Sequence, residues 1–290
     1  MTAAATPVSS AFLWRRAHSL MGLWLILYLI EHLIVNSQAA LWIGDDGSGF
    51  VQLVNSLERL PYLQVIEFVF IAIPLIIHGV WGVKRALSAK TNSLPSDGST
   101  PSFSYSRNRA FTWQRLTSWI LLFGIVGHVV QMRFINYPRD TMVGNEKQYL
   151  TKVSVDDGID SVADRVGVKL FGPEEIAAFR GGERWMAEVS SFHPHANEVV
   201  VMAPSPGKAM LFMVRDTFKS SLMSVLYTIF VLAAAFHAFN GFWTSLITWG
   251  AILSYRSQKA MLPVGWAGMA LLAFLGIAAI WGSYWINLRN

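Results

Sequence analysis

Between Pro61 and Arg85 the chain reads PYLQVIEFVFIAIPLIIHGVWGVKR. A stretch this long and this apolar has the length of one bilayer crossing, roughly 20 helical residues. Yet it carries a carboxyl group, Glu67, and an imidazole, His78, eleven residues apart. Eleven residues are about three α-helical turns, which predicts both side chains on nearly one face, roughly 16 Å apart along the axis. Ionisable groups at membrane depth are kept only where they face a partner or cavity inside a bundle. The rest of the chain has to supply what sits beside His78.

Four further apolar runs provide the walls. The first, about Ala17 to Ala40, follows Trp14-Arg15-Arg16. It is too long for a signal peptide core and contains Glu31 and His32, so it reads as an uncleaved span. A linker, Leu41 to Leu60, with Gly44-Asp45-Asp46-Gly47, is expected to be a short exposed loop. The third span runs from about Leu116 to Phe134. The fourth runs from near Phe218 towards Leu253, longer than one crossing, so a bend near Asn240-Gly241 or a cytoplasmic projection is expected. The fifth covers about Leu262 to Ile286. Residues 86–112 read as a flexible basic connection, and Met1 to Phe12 as a disordered or interfacial end. The fold class expected is an all-α membrane protein, a five-transmembrane-helix bundle with a small extramembrane insert between the third and fourth spans. The chain divides into residues 1–134, 135–216 and 217–290.

The insert is polar and too long for a structureless connection. Pro173-Glu174-Glu175 reads as a helix start. Glu198–Met202 and Met210–Val214, either side of Pro204-Ser205-Pro206-Gly207, read as a β-hairpin, making the insert a small α+β unit. His193 and His195 flank Pro194, and in a polar insert they read as solvated rather than as a metal site.

Composition narrows the chemistry. Of 290 residues, 53% are apolar and 12 are tryptophan, as two interfacial aromatic belts would require. The net charge is +5 and lies in the membrane flanks, with no dense basic and aromatic stretch, so no nucleic-acid partner is expected. There is no cysteine. That excludes disulfides, iron–sulfur clusters held by this chain and covalently attached haem. If five spans alternate, Arg15, Arg16, Lys84, Arg85, Lys90, Arg107, Arg109, Arg115, Arg256 and Lys259 share one side, and the short loop opposite has only Arg59. The positive-inside rule makes that side, and the N-terminus, cytoplasmic, with the insert and C-terminus outside.

Four spans carry one deep histidine each: His32, His78, His128 and His237. At about 1.5 Å of rise per residue, His32 and His128 lie roughly 20–25 Å from the inner surface. His78 lies roughly 9 Å from it, and His237 roughly 27 Å down from the outer surface. Depth therefore pairs His32 with His128 in the outer half and His78 with His237 in the inner half. Two imidazoles from different helices at one level are what a bis-histidine haem needs. Gly82, Gly124, Ala233 and Gly241, one turn from a ligand, would make room for a macrocycle. Tyr28 and Asn36 flank His32 instead. A haem-free metal or proton transporter, or a scaffold, stays open as the other reading, although the spans have few carboxylates and no pair of broken helices.

Several segments carry a family likeness: Trp14-Arg15-Arg16-Ala17-His18-Ser19-Leu20, Glu31-His32-Leu33-Ile34-Val35-Asn36, Leu75-Ile76-Ile77-His78-Gly79-Val80-Trp81-Gly82, Gln114-Arg115-Leu116-Thr117, Gly127-His128-Val129-Val130-Gln131 and Phe236-His237-Ala238-Phe239-Asn240-Gly241-Phe242-Trp243. Together they resemble the di-haem cytochrome b membrane anchor of bacterial succinate:menaquinone oxidoreductase, related to the anchor of quinol:fumarate reductase. The likeness covers all five spans, and the insert departs from it. It implies two haems b, with His32 and His128 axial to the outer and His78 and His237 axial to the inner. It also implies a bacterial cell membrane, a flavoprotein subunit that oxidises succinate, an iron–sulfur subunit, and transfer of electrons to a quinone, menaquinone in this family. The anchor of another quinone-linked enzyme is the variant to distinguish. Arg15, Arg16, His18, Lys84 and Arg115 are candidates for haem propionates, with ordinary positive-inside bias the competing explanation. His18 sits at the inner interface and is not counted as a ligand. Quinone reduction takes two protons, so a donor near the outer haem is wanted. Glu67 and Gln131 are the candidates, ahead of Glu31, Asn36 and Arg133.

Overall fold

The computed structural model describes residues 9–89, 93, 102 and 105–290. Among the described residues five helices are long and apolar enough to cross a membrane: α1 (Ser10–Ser37), α3 (Leu63–Ser88), α4 (Ser106–Ile135), α9 (Ser221–Thr248) and α10 (Tyr255–Asn287). In hydrocarbon no water satisfies a backbone amide, so each run must close its hydrogen bonds on itself, and only a helix does so within one segment. The chain is accordingly an all-α membrane protein by its spans. The N-terminal eight residues and, within the expected basic connection, 90–92, 94–101 and 103–104 lie outside the described residues. At its two ends the expected flexible connection is corrected, because 86–88 and 106–112 continue the flanking helices.

The spans differ from the expectation in phase and in length. In α3 the stretch Phe68–Ala72 is a π-helical turn, with Ile73 N–H donating to Phe68 C=O. It precedes Pro74, which has no N–H to give and would orphan the carbonyl four residues back. That carbonyl belongs to Phe70, and the Trp24 indole N–H donates to it at 2.6 Å. Wide turns also close α4 at Val130–Ile135 and α10 at Ala278–Asn287. The fourth span does not bend at Asn240-Gly241. Helix α9 runs unbroken to Thr248 and stops before Gly250, whose φ is +80°. Phe218 and Lys219 belong to the preceding helix, and extended Ser220 separates the two.

The chain forms two compact units, each assembled from several parts of the sequence. One comprises residues up to Glu31, Gln64–Phe123 and Leu232–Ala273, and the regular structure among its described residues is helical. The other comprises His32–Leu63, Gly124–Val231 and Phe274–Asn290 and includes the polar insert.

In the second unit the expected loop Leu41–Leu60 holds a helix, α2 (Ser48–Glu58). Phe50, Leu53, Val54 and Leu57 repeat at helical spacing, and Phe50 and Val54 are buried. Gly47, with φ +69°, supplies the left-handed turn that starts it. A four-stranded antiparallel sheet comes next, ordered β1 (Arg139–Val143), β2 (Glu146–Ser154), β4 (Glu198–Ala203), β3 (Lys169–Phe171). The hairpin is β1–β2, closed by Gly144-Asn145 with Val143 opposite Glu146. Three short helices complete the insert: α5 (Ile159–Val166), α6 (Pro173–Ala177) and α7 (Arg184–Ser190). Leu150, Val189, Val200 and Met202 form a core against Phe171, Phe179 and Trp185.

The hairpin expected from Glu198–Met202 and Met210–Val214 is not formed. Met210–Val214 lies inside helix α8 (Pro206–Lys219). Ser205 caps it and Pro206 takes its first position, where a missing N–H costs nothing. Leu211, Phe212 and Val214 are buried, and α8 packs on β2, β4 and α2. Gly207 allows α8 onto α2: a Cβ there would stand 2.5 Å from Val51 O. Asn55 Oδ1 accepts from Gly207 N–H at 2.8 Å in the same contact.

One ion cluster closes this unit. Arg215, on α8, is 1% exposed and grips Asp156 through two hydrogen bonds of 2.6 and 2.7 Å. Its Nε donates to Leu288 O at 2.7 Å, so the guanidinium ties the strand-end loop to the last residues of the chain. Lys219 Nζ lies 2.8 Å from the same carboxylate.

Candidate functional site

His78 on α3 and His237 on α9 have ring centroids 6.2 Å apart, with ring planes at 78°. His18 on α1 stacks on His78, centroids 4.0 Å apart and planes within 10°. The two exchange backbone hydrogen bonds: His78 Nδ1 to His18 O at 3.0 Å, and His18 Nδ1 to His78 O at 3.1 Å. A carbonyl only accepts, so both Nδ1 atoms carry the proton. Gly22 permits this approach, since a Cβ there would stand 2.9 Å from His78 Cε1. On the other ring, His237 Nδ1 meets Thr117 Oγ1 at 3.3 Å. The Thr117 hydroxyl gives its own proton to carbonyls of its helix, so it accepts from His237. Gln114 Nε2 donates to His237 O, and Asn240 Nδ2 to Gln114 Oε1, which fixes α4 against α9 at this level.

The second pair has the same plan. His32 on α1 and His128 on α4 have centroids 5.8 Å apart and planes at 83°. His128 Nδ1 lies 3.2 Å from the Tyr227 hydroxyl, which donates to Gln131 Oε1 at 3.1 Å. The tyrosine proton is committed to Gln131, so His128 Nδ1 is the donor in that contact. Asn36 Nδ2 donates to His32 O at 2.8 Å.

The spacing has a chemical meaning. A metal–imidazole bond of about 2.0 Å and roughly 1 Å from nitrogen to ring centre set two imidazoles across one ion about 6 Å apart. Two rings that share a nitrogen–metal–nitrogen axis can take any angle between their planes. His78, His237 and His128 each commit Nδ1–H to a second partner, which leaves the Nε2 lone pair as the donor. For these three the free donor is the Nε2 of an imidazole, the kind of ligand that suits a b-type haem iron.

Of the other residues singled out in the sequence, Gly124 does not leave open room beside His128, because the Phe230 ring fills it and a Cβ would stand 2.5 Å from that ring. Gly82 and Gly241 are less crowded, with nearest atoms at 3.7 and 3.6 Å, and Ala233 is buried. Arg15 and Lys84 are exposed. The Arg16 guanidinium lies over Phe12 and Trp249, Lys84 Nζ over Trp81, and the Arg115 guanidinium over Phe111. Glu31 is exposed, and Arg133 lies over Tyr137. Glu67 precedes the π turn of α3. An extra residue in one turn rotates the remainder of the helix by about 100°, so Glu67 and His78 are roughly 80° apart rather than on nearly one face. The expectation that they share a face is thereby corrected. Among the described residues no group of three or more His, Asp or Glu side chains is arranged to hold a bare metal ion, His193 and His195 included.

Sequence reasoning missed Tyr227, the partnership of Thr117 with His237, and the stacking of His18 on His78. Tyr227 sits in the apolar run VLYTIFVL and has no local signal. Gln114 and Thr117 stand out in the sequence only as part of a motif.

Five membrane-length helices carrying two close histidine pairs define a multi-span membrane protein with two candidate cofactor sites. The chain is similar to the succinate dehydrogenase cytochrome b558 subunit of Bacillus subtilis (strain 168), 27% identical over 270 residues, which are 93% of this chain and 95% of that one. That relation, spanning nearly the whole of both chains, bears out the resemblance to the cytochrome b membrane anchors of succinate dehydrogenase. No protein-family model and no solved structure matches the chain.

Proposed function

We propose that this chain is the cytochrome b membrane anchor of a succinate:quinone oxidoreductase and binds two haems b. His32 and His128 would hold one, and His78 and His237 the other. The observation that carries this reading is the pair of ring separations, 5.8 and 6.2 Å, on helices distant in sequence. The likeness to a succinate dehydrogenase cytochrome b subunit supports it, as does the commitment of each Nδ1–H described above. When bound, haem b supplies one-electron chemistry at its iron.

The chain's own residues orient the imidazoles, exclude water and present a hydrogen-bonding end to quinone. Electrons come from an iron–sulfur subunit served by the flavoprotein that oxidises succinate, and they leave to quinone, menaquinone in the family this chain resembles. With no cysteine, the chain leaves every cluster to its partners. Arg15, Arg16, His18, Lys84 and Arg115 belong to the unit of the His78–His237 pair. There they serve the propionates and, at the basic cytoplasmic face, the soluble subunits. The N-terminus is cytoplasmic, and the insert and C-terminus are outside. Gln131 is the quinone-site candidate in the unit of the His32–His128 pair, with Glu67 kept from the sequence reading as the alternative. Gln131 has the better support, since it is joined through Tyr227 to His128.

A visible spectrum of the purified complex tests this. About two low-spin b-type haems per chain are expected, with one lost on replacing either member of a pair. A colourless preparation would favour a haem-free transporter or scaffold. Haems present without co-purifying flavoprotein and iron–sulfur subunits of succinate dehydrogenase would assign the anchor to another quinone-linked enzyme.

A further inference from the structure

We propose that Tyr227 is a positioning residue that couples the reduction potential at the His32–His128 site to the state of the Gln131 side chain. The inference rests on the reading that those two histidines ligate one haem.

Tyr227 is held tightly. Its ring meets Phe218 edge-on at 5.2 Å and Phe230 at 6.1 Å, and the Phe230 ring sits against Gly124 on α4. The hydroxyl therefore has little freedom. It stands 3.2 Å from His128 Nδ1 and 3.1 Å from Gln131 Oε1. An amide oxygen only accepts, which sends the tyrosine proton to Gln131 and leaves the tyrosine oxygen to accept from His128. The relay is directional: His128 Nδ1–H to Tyr227 oxygen, Tyr227 O–H to Gln131 oxygen.

Donation from Nδ1–H makes the imidazole a stronger base at Nε2. A stronger ligand stabilises the ferric over the ferrous ion and lowers the potential. A hydroxyl that is itself donating is a better acceptor, so the bond to Gln131 strengthens the one to His128. Whatever engages the Gln131 amide, a quinone carbonyl above all, changes the acceptor strength of Tyr227 and is felt at His128. At the other pair the chain from His237 through Thr117 ends on backbone carbonyls and reaches no side chain that a ligand could engage. Thr117 gives its proton to its own helix backbone.

The test is an optical redox titration of the purified complex, as wild type, Tyr227→Phe and Gln131→Leu. Tyr227→Phe is expected to keep both haems and to raise the potential of one. Reduction there becomes about tenfold more favourable, 59 mV for one electron. Gln131→Leu is expected to move the same haem in the same direction by less, and the other haem is unmoved in both variants. Two haems loaded with reduction equilibria within threefold of wild type, a shift under about 30 mV, in both variants would overturn the coupling while leaving the proposed function standing. A wild-type complex without haem would instead overturn the function. Should Tyr227→Phe fail to load its haem, Gln131→Leu decides alone, because it leaves Tyr227 and His128 in place. No shift in it refutes the relay.

Discussion

Replacing Asp156 by Asn should loosen the insert and the C-terminal residues together, by an amount that the Arg215 cluster sets. Burial on its own would raise the Asp156 carboxyl. The hydrogen bonds and charges of Arg215 and Lys219 outweigh it and hold the group at about 2, against an ordinary 3.8. At 1.36 kcal/mol per unit, that difference is worth roughly 2–2.5 kcal/mol. The folded value lies below the unfolded one, so this stabilisation is complete above pH about 4 and is lost as pH falls from about 4 towards 2. The amide substitution costs more than protonation does, because it permanently strands Arg215, 1% exposed. Breaking a buried pair by removing one partner costs about 3–5 kcal/mol. Hydrogen exchange on the full chain in detergent at pH 7 measures it. Amides of β2, β4 and Leu288 are expected to exchange on the order of a hundredfold faster or more, if they open through this cluster. The double variant Asp156→Leu with Arg215→Met, which buries no charge, should recover most of the protection. Exchange in Asp156→Asn within threefold of wild type would refute the reasoning, and the tail would then be held by its apolar contacts.

Two further outcomes come from close contacts and titration. Gly124→Val should push the Phe230 ring away, cost about 1–3 kcal/mol and, on the proposed function, selectively remove or broaden the signal of the haem proposed at His32 and His128, read in the visible spectrum. Burial and the hydrogen bond to Glu58, 2.8 Å, push the Tyr137 hydroxyl up to about 12. Phenolate absorbance at this residue should therefore appear only near pH 12, and Glu58→Gln should lower that midpoint. With the folded value above the unfolded one, the stabilisation is present below pH about 10 and lost as pH rises towards 12.

The membrane spans were legible because backbone physics in hydrocarbon leaves an apolar run of about 20 residues one regular option. The four histidines were legible too, since an imidazole is conspicuous in such a run. Helix rise alone put them into the two pairs that the structure brings within 6.2 Å. Helix phase was not legible. The π turn ahead of Pro74 moved Glu67 off the face of His78, and it depends on Trp24 reaching Phe70 O from another helix. In the insert, Ser205-Pro206 has the composition of a turn, yet it is a cap and a first helical position. The apolar spacing of Phe50 to Leu57 is masked by the Gly-Asp-Asp-Gly just before it.

Sequence by itself determined how many membrane-length runs the chain has, which ionisable side chains lie within them, and at what level along each helix they lie, because length and rise are properties of one segment. Only the tertiary structure decided which hydroxyl or carbonyl receives each imidazole proton, and that a guanidinium at position 215 is buried against a carboxylate 59 residues away. Those outcomes depend on the rotation and approach of separate helices. Residues such as Tyr227, Phe230 and Gly124 set them jointly, and none of them sets them alone.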